Sequence, residues 1–371
     1  MEQCFFLGRS SIEKLLPILR EYSPRHIFLV RGKKSYEICG AKSIMDSVFD
    51  DLCCEVTEYY DFEENPKIED LERGLLLMKR FSFSVIVAVG GGSVLDMAKL
   101  LRFFYSYSGE PTSGKFEKRQ ELLPLIALPT TAGTGSEATH FAVLYKDKVK
   151  YSVEHAVVLP DTAIVYPPFT YNNPKYLTAC TGFDALAQAI EAYWNVNATA
   201  ESDGYAEKAI KLLWSNLPLA VNSPTDDVRD KVSEGSYWAG RAINITKTTA
   251  PHAFSYPFTT YYGYPHGHAV ALIFPYFFEY NILFTEALSK RLLLSDYLKK
   301  MHHLLVLLDM NIETFPDVLK HFLALLHLEK KQLCYSTERI LAGINLSRLK
   351  NNPIDISFLT AQEFVRKIAN R

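Results

Sequence analysis

Two kinds of hydrophobic pattern divide the chain. Between Ile12 and Leu128, short continuous apolar runs alternate with stretches of helical period; the clearest runs are His26–Val30 (HIFLV), Val85–Val89 (VIVAV) and Leu125–Leu128 (LIAL). Gly, Thr or Ser follows closely after each one. A run without polar alternation suits a strand covered on both faces, and parallel sheets are made of such strands joined by crossover helices, Leu71–Lys79 being one candidate. After Tyr166-Pro167-Pro168 the period changes. Asp184–Trp194, Ala206–Trp214, Asp227–Ile243, Ser289–Leu308 and Pro316–Leu328 all place apolar residues at helical spacing. The pattern predicts an α/β domain with a parallel sheet over residues 1–167 and an all-α domain over residues 168–371. No internal repeat or low-complexity tract interrupts either half.

Composition narrows this picture without redrawing it. At 371 residues the chain is long enough for two domains of roughly 150 residues or more, and 48% apolar with 22% charged residues excludes extended disorder and fibrous architectures. Forty Lys and Arg against 42 Asp and Glu give a net charge of −2, which argues against broad nucleic-acid binding or attraction to anionic membranes. The most apolar stretches, Leu122–Pro129 and Ala269–Phe284, are short or broken by Pro275 and Glu279, so no membrane span is expected. Met1-Glu2-Gln3-Cys4 does not read as a signal peptide. Cysteines without CxxC spacing, including the adjacent Cys53 and Cys54, fit a reducing cytoplasm.

The sharpest chemical signal is Gly90-Gly91-Gly92-Ser93, directly after VIVAV and opening a helix that carries Asp96 and Lys99. Glycines let a backbone approach a ligand closely, and the free N–H groups of a new helix favour an anion such as a pyrophosphate. The plain alternative is a flexible strand-to-helix turn. A second polar loop, Pro129 to Glu137 (PTTAGTGSE), follows LIAL in the same way and offers Thr130, Thr131, Thr134 and Ser136. Loops at the carboxyl ends of parallel strands are where open α/β sheets bind ligands, so two of them favour a dinucleotide crevice. In the helical half, Asp184 and Gln188 stand four apart on one helix face, and His252 and His266 come from a later segment. Together their oxygen and nitrogen donors could surround one divalent cation and leave room for a substrate oxygen. Singly, each has an ordinary structural explanation as a helix-terminal acid, a solvated amide or a hydrogen-bonded loop imidazole.

Gly90–Lys99 (GGGSVLDMAK), Pro129–Glu137, Asp184–Tyr193 (DALAQAIEAY) and His252 with Pro265-His266-Gly267 resemble, in order, the motifs of the iron-containing (group III) alcohol dehydrogenases. The resemblance covers nearly the whole chain. It implies an N-terminal dinucleotide-binding α/β domain, a C-terminal helical metal-binding domain in a dehydroquinate synthase-like architecture, and nicotinamide-dependent interconversion of an alcohol and a carbonyl compound. The family's metal ligands, Asp, His, His and His, fall on Asp184, Gln188, His252 and His266, so the second is changed. A further family histidine is Tyr256 here. A neutral amide is a weaker ligand than imidazole, and the mixed N/O set is compatible with iron or zinc.

Thr178–Asn195, Ala242–Gly267, Thr139–Val143 and Lys150–Val153 look like the phosphonoacetaldehyde reductase (2-hydroxyethylphosphonate dehydrogenase) branch of that family. A phosphonate aldehyde carries close to two negative charges, so its site needs cations and hydroxyls. Lys247, among Thr246, Thr248 and Thr249 and five residues before His252, is the first candidate, followed by His140 and Arg241. Protonation of the product oxygen is assigned to His268, with the reservation that it could be a packed structural imidazole, and more weakly to Tyr256. The resemblance places the coenzyme on Gly90, Gly91, Gly92, Ser93, Asp96, Thr130, Thr131, Thr134, Ser136 and Lys150. NADPH is favoured over NADH, because Gly32 stands where NAD-preferring relatives carry an acid, with Lys33 and Lys34 beside it. The expected partners are a small anionic aldehyde or alcohol and, as an open option, copies of the same chain. A general alcohol dehydrogenase, a lyase resembling dehydroquinate synthase and a non-catalytic nucleotide-binding protein remain as alternatives.

Overall fold

The three continuous apolar runs are the middle of a six-stranded parallel sheet. In chain order the first half comprises β1 (Cys4–Leu7), α1 (Leu15–Glu21), β2 (His26–Arg31), α2 (Ser35–Ile38), α3 (Ala41–Leu52), β3 (Glu55–Tyr59), α4 (Ile68–Met78), β4 (Val85–Gly90) and α5 (Gly92–Ser106). A two-strand ribbon of β5 (Tyr107–Ser108) and β6 (Glu117–Lys118) comes next, then β7 (Leu125–Pro129), the antiparallel hairpin of β8 (Phe141–Lys146) and β9 (Val149–Glu154), and β10 (Thr162–Val165). The sheet order is β1-β10-β7-β4-β2-β3. The computed structural model describes residues 3–110, 114–147, 149–329 and 335–370.

Side-chain alternation explains why residues 27–30 of β2, 85–89 of β4 and 125–128 of β7 are apolar at every position. Phe28, Val30, Ile86, Ala88 and Ala127 join a core with Leu71 and Met78 of α4 and Leu95, Ala98 and Leu101 of α5. The residues between them, Ile27, Leu29, Val85, Val87, Val89, Ile126 and Leu128, pack with Leu15 and Leu19 of α1 and Met45 and Phe49 of α3. Each strand is therefore hydrophobic toward both layers, as buried parallel strands must be. From β2 the chain first builds β3 on one side and then returns to place β4 on the other. The carboxyl ends of β2 and β4 thus flank a topological switch point, the standard ligand crevice of an open parallel sheet.

The chain divides into two compact units, Met1–Asn173 and Pro174–Arg371. Residues 168–173 stay with the sheet because Phe169 packs in its core and Asn173 Nδ2 donates to Thr130 O at 3.0 Å. The second unit contains α6 (Lys175–Trp194), α7 (Ala200–Asn222), α8 (Asp226–Thr246), α9 (Ala250–Tyr262), α10 (His266–Leu283), α11 (Leu294–Leu307) and α12 (Phe315–Leu325), with α13 (Thr337–Ala342), α14 (Leu346–Leu349) and α15 (Phe358–Asn370) after them. Helix α6 lies against α7, α8 and α10 and is buried on nearly every side. A helix enclosed in this way should be apolar all round. Its polar residues Asp184, Gln188 and Glu191 break that rule along one stripe. Among the described residues no helix is long and apolar enough to cross a membrane.

Candidate active site

The glycine run after β4 behaves as the sequence motif suggests. Gly91 caps α5 in an extended conformation, and the helix begins at Gly92. A methyl group on Gly92 would lie 2.6 Å from Thr134 Cγ2 and 2.7 Å from Thr134 Oγ1, so the second polar loop comes this close only against a glycine. Thr130 is 2% exposed, and its Oγ1 has no hydrogen-bond partner. A buried hydroxyl without a partner costs stability unless something else satisfies it. These glycines at the start of α5 and the lone Thr130 hydroxyl fit the phosphate end of a dinucleotide.

Two residues assigned to the coenzyme have other work. Asp96 accepts from Ser136 Oγ with one oxygen and from Val143 N at 2.9 Å with the other. Ser136 is itself buried. Lys99, fully buried, donates to Ser136 O at 2.9 Å, Ser136 Oγ at 3.1 Å, Thr139 Oγ1 at 3.1 Å and Phe141 O at 2.5 Å. Burial pushes Lys99 down to about 8, opposed by Asp96 and Glu137, while burial pushes Glu137 up to about 7. This knot ties the second loop to α5 and to the hairpin, so Asp96 and Ser136 shape the loop from beneath. Ser93 Oγ accepts from Asn65 N at 3.0 Å. Gly32 donates its N–H to Val89 O at 3.2 Å at the switch point, Lys33 pairs with Asp61 at 3.5 Å, and Lys150 lies half-buried on β9.

In the helical unit, the i, i+4, i+7 spacing of Asp184, Gln188 and Glu191 aligns three polar side chains on one face of α6. His252 stands in the first turn of α9 and His266 begins α10. The two helices turn at Gly263, and α10 then starts so close to α6 that a methyl on Gly267 would meet Cys180 O at 1.9 Å. That close approach brings His266 to Asp184. His252 Nε2 lies 3.1 Å and His266 Nε2 3.8 Å from Asp184 Oδ1, and the donor atoms of the three residues all lie within 4.8 Å of one another. Such separations suit donors that each stand about 2.0–2.2 Å from a shared cation.

Gln188 stands one helical turn along α6 from Asp184. It is 4% exposed, and its Oε1 has no hydrogen-bond partner. A buried amide oxygen without a donor, on the same helix face as Asp184, is an acceptor that a cation would satisfy. The residues therefore fit a divalent metal in a mixed N/O site.

The sequence reading missed Glu191, which is fully buried and whose one signal in the sequence is its spacing of seven residues from Asp184. Its Oε1 accepts from His252 Nδ1 at 2.5 Å, and its Oε2 accepts from Thr249 N at 2.7 Å and Thr249 Oγ1 at 2.9 Å. A carboxylate behind a ligating imidazole fixes its tautomer and aims the other nitrogen at the metal. Without a metal, burial pulls His252 down, yet Glu191 and Asp184 together push it up to about 10.

Several sequence candidates are placed elsewhere. His268 is buried with both nitrogens engaged: Nδ1 lies 2.9 Å from Tyr176 OH and Nε2 2.9 Å from Glu329 O. It holds helices together and has no nitrogen left for a proton relay. Arg241 reaches Tyr205 OH at 3.0 Å and Tyr237 OH at 3.3 Å and lies over the Tyr205 ring, which assigns it to the packing of α7 on α8 instead of to substrate. His140 belongs to the first unit, at the foot of the hairpin, 3.5 Å from Glu154. Tyr256 does stay at the metal residues, its ring stacked on His266 at 5.7 Å. Lys247 ends α8, half-buried, immediately before the Thr248–Thr249 segment that Glu191 grips.

Comparison with known proteins gives a consistent picture. Residues 3–167 match the model of the family described as iron-containing alcohol dehydrogenase, and residues 178–325 match that of the Fe-containing alcohol dehydrogenase family, C-terminal. The chain is 34% identical over 283 residues to long-chain-alcohol dehydrogenase 1 of Geobacillus thermodenitrificans, covering 74% of this chain and 71% of that protein. It is 33% identical over 269 residues to 1,3-propanediol dehydrogenase of Klebsiella pneumoniae, covering 69% and 70%. Among solved structures, sulfoacetaldehyde reductase from Bifidobacterium kashiwanohense, in complex with NAD+, superposes with a TM-score of 0.86 at 26% identity, covering 99% of this chain and 97% of that one.

Proposed function

The chain belongs to the iron-containing alcohol dehydrogenase family, and from that premise we propose that it reduces a small anionic aldehyde, phosphonoacetaldehyde, to its alcohol, 2-hydroxyethylphosphonate. As a member it is an oxidoreductase of the alcohol dehydrogenase and aldehyde reductase type that uses NAD(H) with a divalent metal, and the lyase and non-catalytic alternatives give way. The observation that carries the chemistry is the orphaned Gln188 oxygen beside Asp184, His252 and His266. When bound, the cation supplies Lewis-acid polarisation of the aldehyde oxygen and the reduced nicotinamide supplies the hydride.

The protein's own residues do the rest. Asp184 neutralises part of the cation's charge, Gln188 gives an uncharged oxygen, and Glu191 keeps His252 protonated on Nδ1 so that Nε2 presents a lone pair. Hydride addition at carbon leaves an oxygen that needs one proton. With His268 engaged, Tyr256 on the face of His266 is the remaining sequence candidate to deliver it. The negative end of the substrate falls to Lys247. Support for an anionic substrate comes from the sulfoacetaldehyde reductase, whose name gives it an aldehyde with a sulfonate in the corresponding place. Gly32 after β2 leaves the 2′-phosphate of NADPH unopposed, although Lys33 is shared with Asp61.

Turnover with phosphonoacetaldehyde, sulfoacetaldehyde and propanal, each with NADPH and NADH, tests the reading, with metal content measured on the same sample. The expected order puts phosphonoacetaldehyde first and propanal last. Equal or better turnover of propanal would return the protein to the general alcohol dehydrogenases. Asp184→Ala should lose both the metal and, from several kcal/mol of lost charge stabilisation, about a thousandfold in kcat/KM. Retained metal in that variant would remove Asp184 from the ligand set.

A further inference from the structure

The last turn of α6 grips the segment that leads into α9. Glu191, Trp194 and Asn195 are all buried, and all three bind between Lys247 and Thr249. Asn195 Nδ2 donates to Lys247 O at 3.1 Å, and Asn351 Nδ2 donates to Thr248 O at 3.0 Å. These amides hold the turn although the Lys247 backbone stands at φ 64°, a region that favours glycine. Thr249 then caps α9, where a threonine hydroxyl ordinarily accepts from a backbone N–H of the first turn. Here it makes no such bond, and the second helical position is Pro251, which has no N–H to give.

The hydroxyl is turned inward instead. Trp194 Nε1 donates to Thr249 Oγ1 at 3.0 Å, and Thr249 Oγ1 donates to Glu191 Oε2 at 2.9 Å. An indole N–H can only donate, so the threonine proton has to point to the carboxylate. Thr249 N adds a second donor to the same Oε2 at 2.7 Å. With Oε2 facing two donors, Glu191 presents Oε1 to His252 Nδ1 as an acceptor, and Nδ1 carries the proton. The indole at the head of the chain is buried and stacked on Phe274 of α10 at 5.8 Å, which gives the chain a rigid origin.

We propose that Trp194 and Thr249 are positioning residues of the metal site. They form a one-way hydrogen-bond chain, from Trp194 through Thr249 to Glu191, that keeps the His252 proton on Nδ1 and leaves Nε2 to the metal. The inference rests on the metal site described above and is independent of the substrate's identity. It makes α6 the frame of that site, since the helix carries Asp184 and Gln188 in its middle and the clamp that sets His252 at its end.

Competition for the metal against a chelator, measured per folded molecule, tests the chain. Thr249→Val keeps the shape and the backbone N–H but removes the hydroxyl, and its metal affinity should fall about tenfold. Thr249→Ser keeps a hydroxyl and should hold metal as the wild type does. Trp194→Phe leaves the hydroxyl free to turn and should lose affinity severalfold. The direction of the chain has its own test at Glu191. In Glu191→Gln the two donors of Thr249 claim the amide oxygen, so the amide NH2 faces His252 and drives its proton to Nε2, the nitrogen the metal needs. Glu191→Gln should therefore bind metal more weakly than Glu191→Ala, in which water can accept from Nδ1. Loss of charge alone gives the reverse order, because glutamine keeps the packing. A Thr249→Val protein that melts lower but retains metal like the wild type overturns the proposal, as does a Thr249→Ser protein that fails to restore retention. Unchanged affinity in Trp194→Phe removes Trp194 from the chain, and weaker binding by Glu191→Ala than by Glu191→Gln overturns its direction. A wild type that takes up no metal overturns the site itself.

Discussion

Two buried polar clusters, one in each unit, look alike in composition and differ in balance. Around Lys99 an ammonium with three protons meets four oxygens, and Asp96 beside it has accepted a hydroxyl and an amide. Donors and acceptors nearly cancel, so the cluster is complete as it stands and serves the loop it ties down. Around Asp184 one atom is left over: a carboxylate and two imidazoles converge, and the amide oxygen of Gln188, one helical turn along α6 from Asp184, has no donor. Burial makes an unfilled acceptor expensive, and a bound cation would relieve it. Donor-acceptor arithmetic thus separates a structural cluster from a chemical one where residue type does not, since both contain a buried carboxylate four or fewer residues from a second polar group.

The contrast can be broken from either side. The largest effect is expected from Lys99→Met, which leaves Asp96 without its buried counter-charge; a loss of about 3–5 kcal/mol in unfolding free energy is expected, with metal content per folded molecule unchanged. Denaturant titration and metal analysis on the same preparation check it, and coordinate loss of metal would mean that the two clusters are not independent.

Glu191→Gln should act mainly on the other cluster. It keeps the shape and loses the carboxylate behind His252, so metal affinity or activity should fall about 10- to 100-fold. A competing chelator measures the affinity; no change would remove Glu191 from its orienting role. Gln188→His sharpens the comparison by supplying the missing imidazole, and metal retention against the same chelator should rise by roughly tenfold. If retention falls instead, Gln188 does not face the metal.

The smallest effect is a pH dependence. In protein stripped of metal, the folded His252 titrates near 10 against an ordinary 6.5, because Glu191 and Asp184 outweigh burial. A raised folded value stabilises the protein fully below the ordinary value, and the contribution is lost as pH rises through the folded one. Stripped protein should therefore lose Tm between about pH 7 and about pH 10, and metal uptake, which must displace that proton, should strengthen over the same interval. A flat Tm profile in the stripped protein, with a rising one in Glu191→Gln, would contradict the assignment.

Legibility in the sequence followed burial. The strands enclosed on both faces, β2, β4 and β7, stood out because each contains a continuous apolar run of at least four residues. Edge strands were harder: β3 is exposed or half-buried except at Tyr59, and β1 is partly exposed, so neither forms a buried run. Helices α6, α7 and α8 were visible only in part; α6 is buried on nearly every side and lacks a solvent-facing polar stripe to set its period. Asp184, Gln188, His252 and His266 were recognisable as a possible donor set from residue type and motif. Glu191 was not, because a single acid in a helix reads as an ordinary solvated residue until the helix is known to be buried.

Local spacing by itself determined the parallel sheet, the glycine turn at the switch point and the Asp184–Gln188 face, because each depends on positions a few residues apart. Tertiary structure decided what sequence-distant groups do to one another. It occupied both nitrogens of His268 with Tyr176 and Glu329, gave Arg241 to Tyr205 and Tyr237, and set Glu191 behind His252 across 61 residues of chain. It also fixed Lys247 in a conformation its own side chain disfavours, through amides 52 residues before it and 104 after. A side chain's chemistry is written in its type, but whether its atoms are already paired depends on which partners the fold brings within about 3 Å, and no local pattern encodes that.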